Sequence, residues 1–285
     1  MKRLVIILLS LFATVAAISA QTHTISLWNG NPPSDNGLRG EETYNGTYYA
    51  NVTEAYLYVY MPEKPNGLAV LACPGGSYNT LWLNHEMGDL AEWFTSRGII
   101  YAALKYRLPN GHPEIPMEDV RRAMRILRDH QEEWGYKSLG VMGRSAGGHL
   151  AASAATMFTE DWDRPDFQML FYPVITCDPS FAHMDSVNNL LGRGHSAETA
   201  EKYSLEKHVP RRAPQAFIAH SSNDFMVKAA NSINYYNALV ANGVSVTMHI
   251  YPTGGHGWNL DSKFQYSDEC SAEMAKWLEE LARKL

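Results

Sequence analysis

A chain of 285 residues with 45% hydrophobic and 19% charged side chains has room for one large α/β domain or two small ones. Its 24 Lys and Arg against 30 Asp and Glu give a formal charge of -6, which argues against a nucleic-acid partner, since phosphate binding needs clustered cations. Three cysteines without CxxC or zinc spacing argue against a disulfide-framed fold and a cysteine zinc site.

In chain order, Met1, Lys2 and Arg3 precede an apolar run from Leu4 to Ile18 and the small residues Ser19 and Ala20. A basic start, a short apolar core and a small-residue exit are the parts of a secretory signal. The run is shorter than the about 20 residues a spanning helix requires. The expectation is therefore a signal peptide over 1–20, cleaved near Ala20. It carries with it a periplasmic or secreted location and no stable membrane insertion after cleavage. No Pro/Ser-rich linker, charge block or repeat divides the remainder, so 21–285 is expected to be one catalytic domain.

Alternation from Ala55 to Tyr60 predicts a half-exposed antiparallel strand, and the apolar run Leu68 to Cys73 a buried one. A helical pattern from His85 to Arg97 leads to a second buried strand, Ile99 to Leu104. Pro116 to Trp134 reads as the longest amphipathic helix, with Val120, Ala123, Met124 and Leu127 as its apolar stripe. The strand Leu139 to Gly143 and the helix-forming stretch Gly148 to Ala155 follow, then a strand over Phe167 to Tyr172. Between Pro173 and Arg212 periodicity fades, and an insertion of that length in an alternating chain is usually functional. Order resumes with a strand at Gln215 to Ala219, a helix at Ala229 to Ala241, a strand at Val244 to Tyr251 and a closing helix from Phe264 to Leu285. Alternation of this kind implies a largely parallel, doubly covered sheet, with ligands bound beyond the carboxyl ends of its strands.

Gly143, Arg144, Ser145, Ala146 and Gly147 stand between an apolar strand and a helix. That is the context in which G-x-S-x-G means a nucleophile elbow, a strained turn that presents a serine at a helix N-terminus. Side chains at Gly143 or Gly147 would collide with the neighbouring chain. Ser145 is the expected nucleophile, and the amide of Ala146 points to an oxyanion site. A serine hydroxyl needs a base, and the base needs an acid to fix its tautomer. Asp224 follows a strand end and is the expected acid, since its neighbour Asn223 cannot hold a charge. His256, between Gly255 and Gly257 on a late loop, is the expected base. His149, His220 and His249 read as packed or hydrogen-bonded histidines, and no pair has zinc-protease spacing, so neither a metal nor another cofactor is expected. Gly76 and Ser77, after the first buried strand, supply the remaining candidate oxyanion amides.

With these residues in view, the chain resembles bacterial α/β-hydrolases of the acetyl xylan esterase-like and feruloyl esterase-like kind, associated with polysaccharide degradation. The likeness runs over nearly the whole mature chain. It rests on Pro74 to Tyr78, His85 and Glu86, Leu104 to Pro109, Gly143 to Leu150, Arg164 and Pro165, Phe171 to Val174, Asn189 to Gly192, and Gly254 to Gly257. It implies an α/β-hydrolase fold with a cap-like insertion at about 173–212, and Ser145, Asp224 and His256 as a triad. It also implies a serine carboxylesterase acting on acetylated, hemicellulose-derived saccharides. Arg144, at a position often filled by Phe, His or Ser, reads as a structural arginine rather than a substrate contact. Tyr78, Trp82 and Trp258 are candidates to stack on sugar rings, with core packing the alternative for each. A feruloyl esterase, a serine peptidase of the prolyl oligopeptidase type and a non-catalytic glycan-binding homologue are the competing readings.

Overall fold

The computed structural model describes residues 22–261 and 263–285, so the expected leader lies outside the described residues. The strands in chain order are β1 (His23–Ser26), β2 (Thr43–Tyr44), β3 (Tyr49–Ala50), β4 (Tyr56–Tyr60), β5 (Leu68–Cys73), β6 (Thr80–Leu81) and β7 (Ile100–Lys105). They continue with β8 (Ser138–Arg144), β9 (Phe167–Phe171), β10 (Gln215–Ser221) and β11 (Val246–Tyr251). The main sheet has the order β1-β4-β7-β5-β8-β9-β10-β11. From β7 to β11 every pairing is parallel, whereas β1 and β4 add an antiparallel edge.

The strand types follow from burial. On β5, Ala69, Leu71 and Cys73 enter the apolar core on one face of the sheet, and Leu68, Val70 and Ala72 enter the core on the other. A strand buried on both faces reads as a continuous apolar run, which is the signature of a parallel sheet. On β4 only Leu57 and Val59 are buried while the tyrosines between them are half-exposed, hence its clean alternation. One face is covered by helices Glu114–Asp129, Ser145–Thr156 and Ala230–Ala241, through residues such as Met124, Leu150 and Tyr235. The other is covered by Ala91–Thr95 and Ser267–Ala282, through Phe94, Met274 and Leu278.

Several boundaries differ from the sequence expectation. The segment expected as one helix over His85 to Arg97 is divided into Leu83–Glu86, a 3-10 turn at Gly88–Leu90, and Ala91–Thr95. Gly88 is a poor helix former, and the break leaves Glu86 facing the loop after β5. The long helix begins at Glu114 and ends at Asp129, short of Trp134, whose ring stacks on His130 at 4.5 Å in the following turn. Phe264 does not open the last helix but stacks on Trp258 at 4.1 Å, and the helix starts at Ser267. Segment 173–212 is not without structure: it holds helices Met184–Leu191 and Ala197–Lys202 and a 3-10 turn, Leu205–Lys207, and Val187, Leu190 and Leu205 join the same apolar core as Met124, Leu150 and Tyr235. A small sheet, β2-β3-β6, has no counterpart among the expected elements, because strands of two residues leave no periodicity to read.

Candidate active site

Four strand ends converge at the carboxyl edge of the sheet. β5 leads to Gly76 and Ser77, its neighbour β8 to Ser145, β10 to Asp224 and β11 to His256. The turn from β8 into helix Ser145–Thr156 holds Ser145 at φ 51°, a left-handed conformation that costs of order 1–3 kcal/mol in a non-glycine residue. The close approaches around it need glycine. A Cβ on Gly143 would overlap the carbonyl of Gly147, and one on Gly147 would overlap the carbonyls of Cys73 and Pro74.

Ser145, His256 and Asp224 form one hydrogen-bonded line. Ser145 Oγ lies 2.8 Å from His256 Nε2, and His256 Nδ1 lies 2.7 Å from Asp224 Oδ2. Burial opposes charge on Asp224, but bonds from His220 and His256 and the amide of Val227 more than offset it and hold its carboxyl down at about 2. An ionised carboxylate only accepts, so Nδ1 of His256 carries the proton and bare Nε2 accepts from the serine hydroxyl. The line can therefore take a proton from Ser145 as its oxygen attacks a carbonyl carbon.

The surrounding loops hold this geometry. Asp224 Oδ1 accepts from the amides of Met226 and Val227, and Asn223 Oδ1 accepts from Gly255 N–H, tying the acid loop to the histidine loop. The Tyr172 ring packs against His256 at 4.9 Å, its hydroxyl donating to the Trp258 carbonyl. The buried Glu86 accepts from Gly75 N–H at 2.5 Å, fixing the loop that presents Gly76 and Ser77. Burial raises the Glu86 carboxyl, with Arg144 and the Gly75 amide pulling the other way. Gly76, at φ 124°, is required because a Cβ there would overlap the Thr80 carbonyl. The amides of Gly76 and Ser77 engage no acceptor among the described residues, and Ala146 lies in the first helical turn, whose amides have no intrahelical acceptor.

The line opens onto a cavity of about 640 Å³, within the roughly 300–1,000 Å³ range of small-molecule sites. Gly76, Ser77, Trp82, Glu86, Ser145 and His256 form one part of its wall, and Asn79, Asp185, Asn189 and Met226 are among the residues of the rest. Of the three aromatic residues expected to meet a sugar, only Trp82 lines this cavity. Trp258 does not: it is 6% exposed, buried between Phe264 and Tyr172. Tyr78 is 2% exposed, donates its hydroxyl to His149 Nδ1, and edges a neighbouring hollow rather than this cavity. Both follow loop residues in sequence but turn into the core, where their area is removed from water.

Arg144 is fully buried and bonds to Asn259 Oδ1, the Trp258 carbonyl and the Tyr172 hydroxyl. It braces the histidine loop and takes no part in the cavity wall. Glu86, Asp185, Asn189 and Met226 were not singled out as site residues from the sequence. Glu86 and Asn189 did lie within the motifs that carried the family resemblance, which was the available signal. Asp185 needed the helix Met184–Leu191, which sets Asp185 and Asn189 one turn apart. Among the described residues no group of three His, Cys, Asp or Glu side chains converges on a metal-sized site, and no helix is long and apolar enough to cross a membrane.

A parallel sheet with a serine on its central strand-to-helix turn, and an acid and a histidine on later strand ends, defines an α/β hydrolase. A family model described as the alpha/beta hydrolase fold matches residues 82–260, and the chain belongs to that family. It is 36% identical over 234 residues to an acetylxylan esterase of Xylanibacter ruminicola, covering 80% of this chain and 48% of that protein. It is 32% identical over 235 residues to endo-1,4-beta-xylanase B of Butyrivibrio fibrisolvens, covering 76% of this chain and 36% of the other. The chain thus spans half or less of the length of these relatives. An acetyl ester-xyloside bifunctional hydrolase from Caldicellulosiruptor lactoaceticus superposes with a TM-score of 0.77 at 30% identity, over 93% of this chain and 98% of that one.

Proposed function

We propose that this protein is a serine carboxylesterase that removes acetyl groups from xylan or other hemicellulose-derived saccharides. The observation that carries this reading is the unbroken line Ser145–His256–Asp224 at the wall of a cavity far larger than an acetyl group. Likeness to an acetylxylan esterase and to an acetyl ester-xyloside hydrolase supports the choice of acyl group and sugar. In the proposed reaction, Ser145 Oγ bonds to the acetyl carbon while its proton passes to His256 Nε2. Amides of Ala146 and of Gly76 or Ser77 stabilise the oxyanion. The carbon–oxygen bond to the sugar then breaks as Nε2 returns the proton to the sugar oxygen. Water, deprotonated by the same nitrogen, releases acetate and restores the serine.

Acetate release from acetylated xylan fragments, with Ser145→Ala as the blank, tests this. Serine-dependent acetate is the expected result. No acetate from a folded enzyme that still reacts with a serine-directed phosphonate would overturn the acetyl substrate and direct attention to feruloyl esters or peptides. No reaction with the phosphonate would leave a glycan-binding homologue. We also propose secretion, supported by the basic, apolar and small-residue order of residues 1–20. A mature N-terminus at Gln21, read by mass spectrometry of the protein recovered from outside the cytoplasm, is the expected outcome. An uncleaved chain would overturn it.

A further inference from the structure

A second hollow, of about 450 Å³, abuts the serine cavity, and Asn79 and Asn189 stand in the wall of both. We propose that it binds the neutral saccharide units next to the acetylated one, so that the protein reads a stretch of sugar chain rather than a single ring. This extends the reading given under Proposed function and rests on it.

The wall chemistry points to hydroxyl groups. Asn51, Asn110, Asn188 and Arg193 join the two shared asparagines, Leu38, Ala50, Tyr78 and Leu108 add apolar surface between them, and no carboxylate or lysine takes part. Three of these amides are already oriented by backbone carbonyls. Asn51 Nδ2 donates to the carbonyls of Arg39 and Glu41, Asn110 Nδ2 to that of Asn36, and Asn189 Nδ2 to that of Ser77. Their Oδ1 atoms remain as fixed acceptors. The side chains of Asn79, Asn188 and Arg193 make no hydrogen bond or ion pair with another described residue. A mixture of oriented acceptors and uncommitted donors matches a hydroxyl, which both donates and accepts. An anion would meet one cation, Arg193, opposed by the fixed acceptor oxygens of Asn51, Asn110 and Asn189. A fatty acyl chain would strand these amides without water.

The hollow is built by close backbone contact. Gly111, at φ 87°, donates its N–H to the Asn189 carbonyl, and a Cβ on it would lie 3.2 Å from Gly192 Cα. This presses the loop before helix Glu114–Asp129 against the end of helix Met184–Leu191, so the walls are set before a ligand arrives and less ordering cost falls on binding. The link to the Ser77 carbonyl ties the hollow to a residue whose own amide is a proposed oxyanion donor.

The test is titration calorimetry of xylobiose and unacetylated xylotetraose into the wild-type protein and into Asn188→Ala, Asn188→Trp and Arg193→Ala, each checked by its unfolding midpoint. Arg193 is exposed, so its truncation leaves the fold intact. The wild type is expected to bind the tetraose about tenfold tighter than the biose. Asn188→Ala and Arg193→Ala should each remove about fivefold of that gain, as expected for one hydrogen bond of about 1 kcal/mol, and Asn188→Trp should remove all of it. Equal binding of the two sugars, absence of binding at millimolar sugar, a gain that survives Asn188→Trp, or displacement by an alanine tetrapeptide would each overturn the proposal. Acetate release is a separate readout: acetate without the chain-length gain refutes this hollow alone, and the gain without acetate refutes the deacetylation alone.

Discussion

His149 lies one helical turn beyond Ser145 and His256 bonds to the serine hydroxyl; each bridges two partners through its ring nitrogens, yet the two are built for opposite ends. His149 lies on the helix that Ser145 opens. Its Nε2–H donates to the Tyr203 carbonyl and its Nδ1 accepts from the Tyr78 hydroxyl, all three groups buried. Burial pushes its pKa down to about 4, so it stays neutral and joins the elbow helix, the loop of Ser77 and the segment after Ala197–Lys202 into one block. His256 faces the cavity from a loop of glycines at positive φ, with an ionised carboxylate behind it and a hydroxyl in front. The difference teaches that a two-sided hydrogen bond does not make a histidine a proton carrier. A buried ring between a carbonyl and a phenol has nowhere to send a charge, whereas a carboxylate partner stabilises the imidazolium that proton transfer creates.

The strongest way to break this comparison is to remove each histidine. His256→Ala and Ser145→Ala are each expected to lower kcat for ester hydrolysis by about 10⁴-fold or more, and Asp224→Asn by about 10⁴-fold, with cooperative unfolding retained. Comparable losses from the conservative His149→Gln would show that the two rings are not distinct in role. Next in size is Gly147→Ala. With the carbonyls of Cys73 and Pro74 in the way, it should cost about 3 kcal/mol or more in denaturant unfolding, a backbone penalty that neither histidine can relieve.

Acid stability sharpens the contrast further. His149 folds with its pKa lowered from 6.5 to about 4, so the unfolded chain takes up a proton that the folded chain refuses. Stability should fall as pH drops through that window, by roughly 3 kcal/mol, and His149→Gln should flatten the fall. Asp224, lowered from 3.8 to about 2, contributes stability that is present above pH 3.8 and lost only as pH falls towards 2. Urea midpoints measured from pH 7 to pH 3 would separate the two, since the His149 window closes where the Asp224 window opens. Tyr78→Phe is a smaller effect: it strands His149 Nδ1 and should cost about 1–2 kcal/mol while leaving the backbone of Ser77 in place. Smallest is Trp82→Ala, expected to raise KM for acetylated xylo-oligosaccharides about fivefold with little change in kcat. A fall in kcat alone would place Trp82 with the reacting groups instead.

How much of this was legible in advance depends on where each constraint lies. The parallel strands β5, β7, β8 and β10 were readable because burial on both faces leaves a local apolar run. Ser145 was readable because its turn needs glycines at fixed offsets, and Asp224 and His256 because they follow strand ends in the order the fold requires. The breaks at Gly88 and Asp129 were not, since helix ends are decided by what the next turn packs against, here Glu86 against Gly75 and Trp134 against His130.

The amino-acid order alone therefore determined the alternating strands and helices, the elbow at Ser145 and the order in which serine, acid and histidine follow. These depend on periodicity, glycine and turn position within a few residues of one another. Tertiary structure alone decided that Tyr78 and Trp258 face inward while Trp82 meets the cavity, that Arg144 braces the histidine loop, and that Asn189 of helix Met184–Leu191 touches the Ser77 loop. Those outcomes turn on which of two faces a side chain presents to residues up to 115 positions away, and an aromatic or polar residue in a loop carries no local periodicity to reveal that choice.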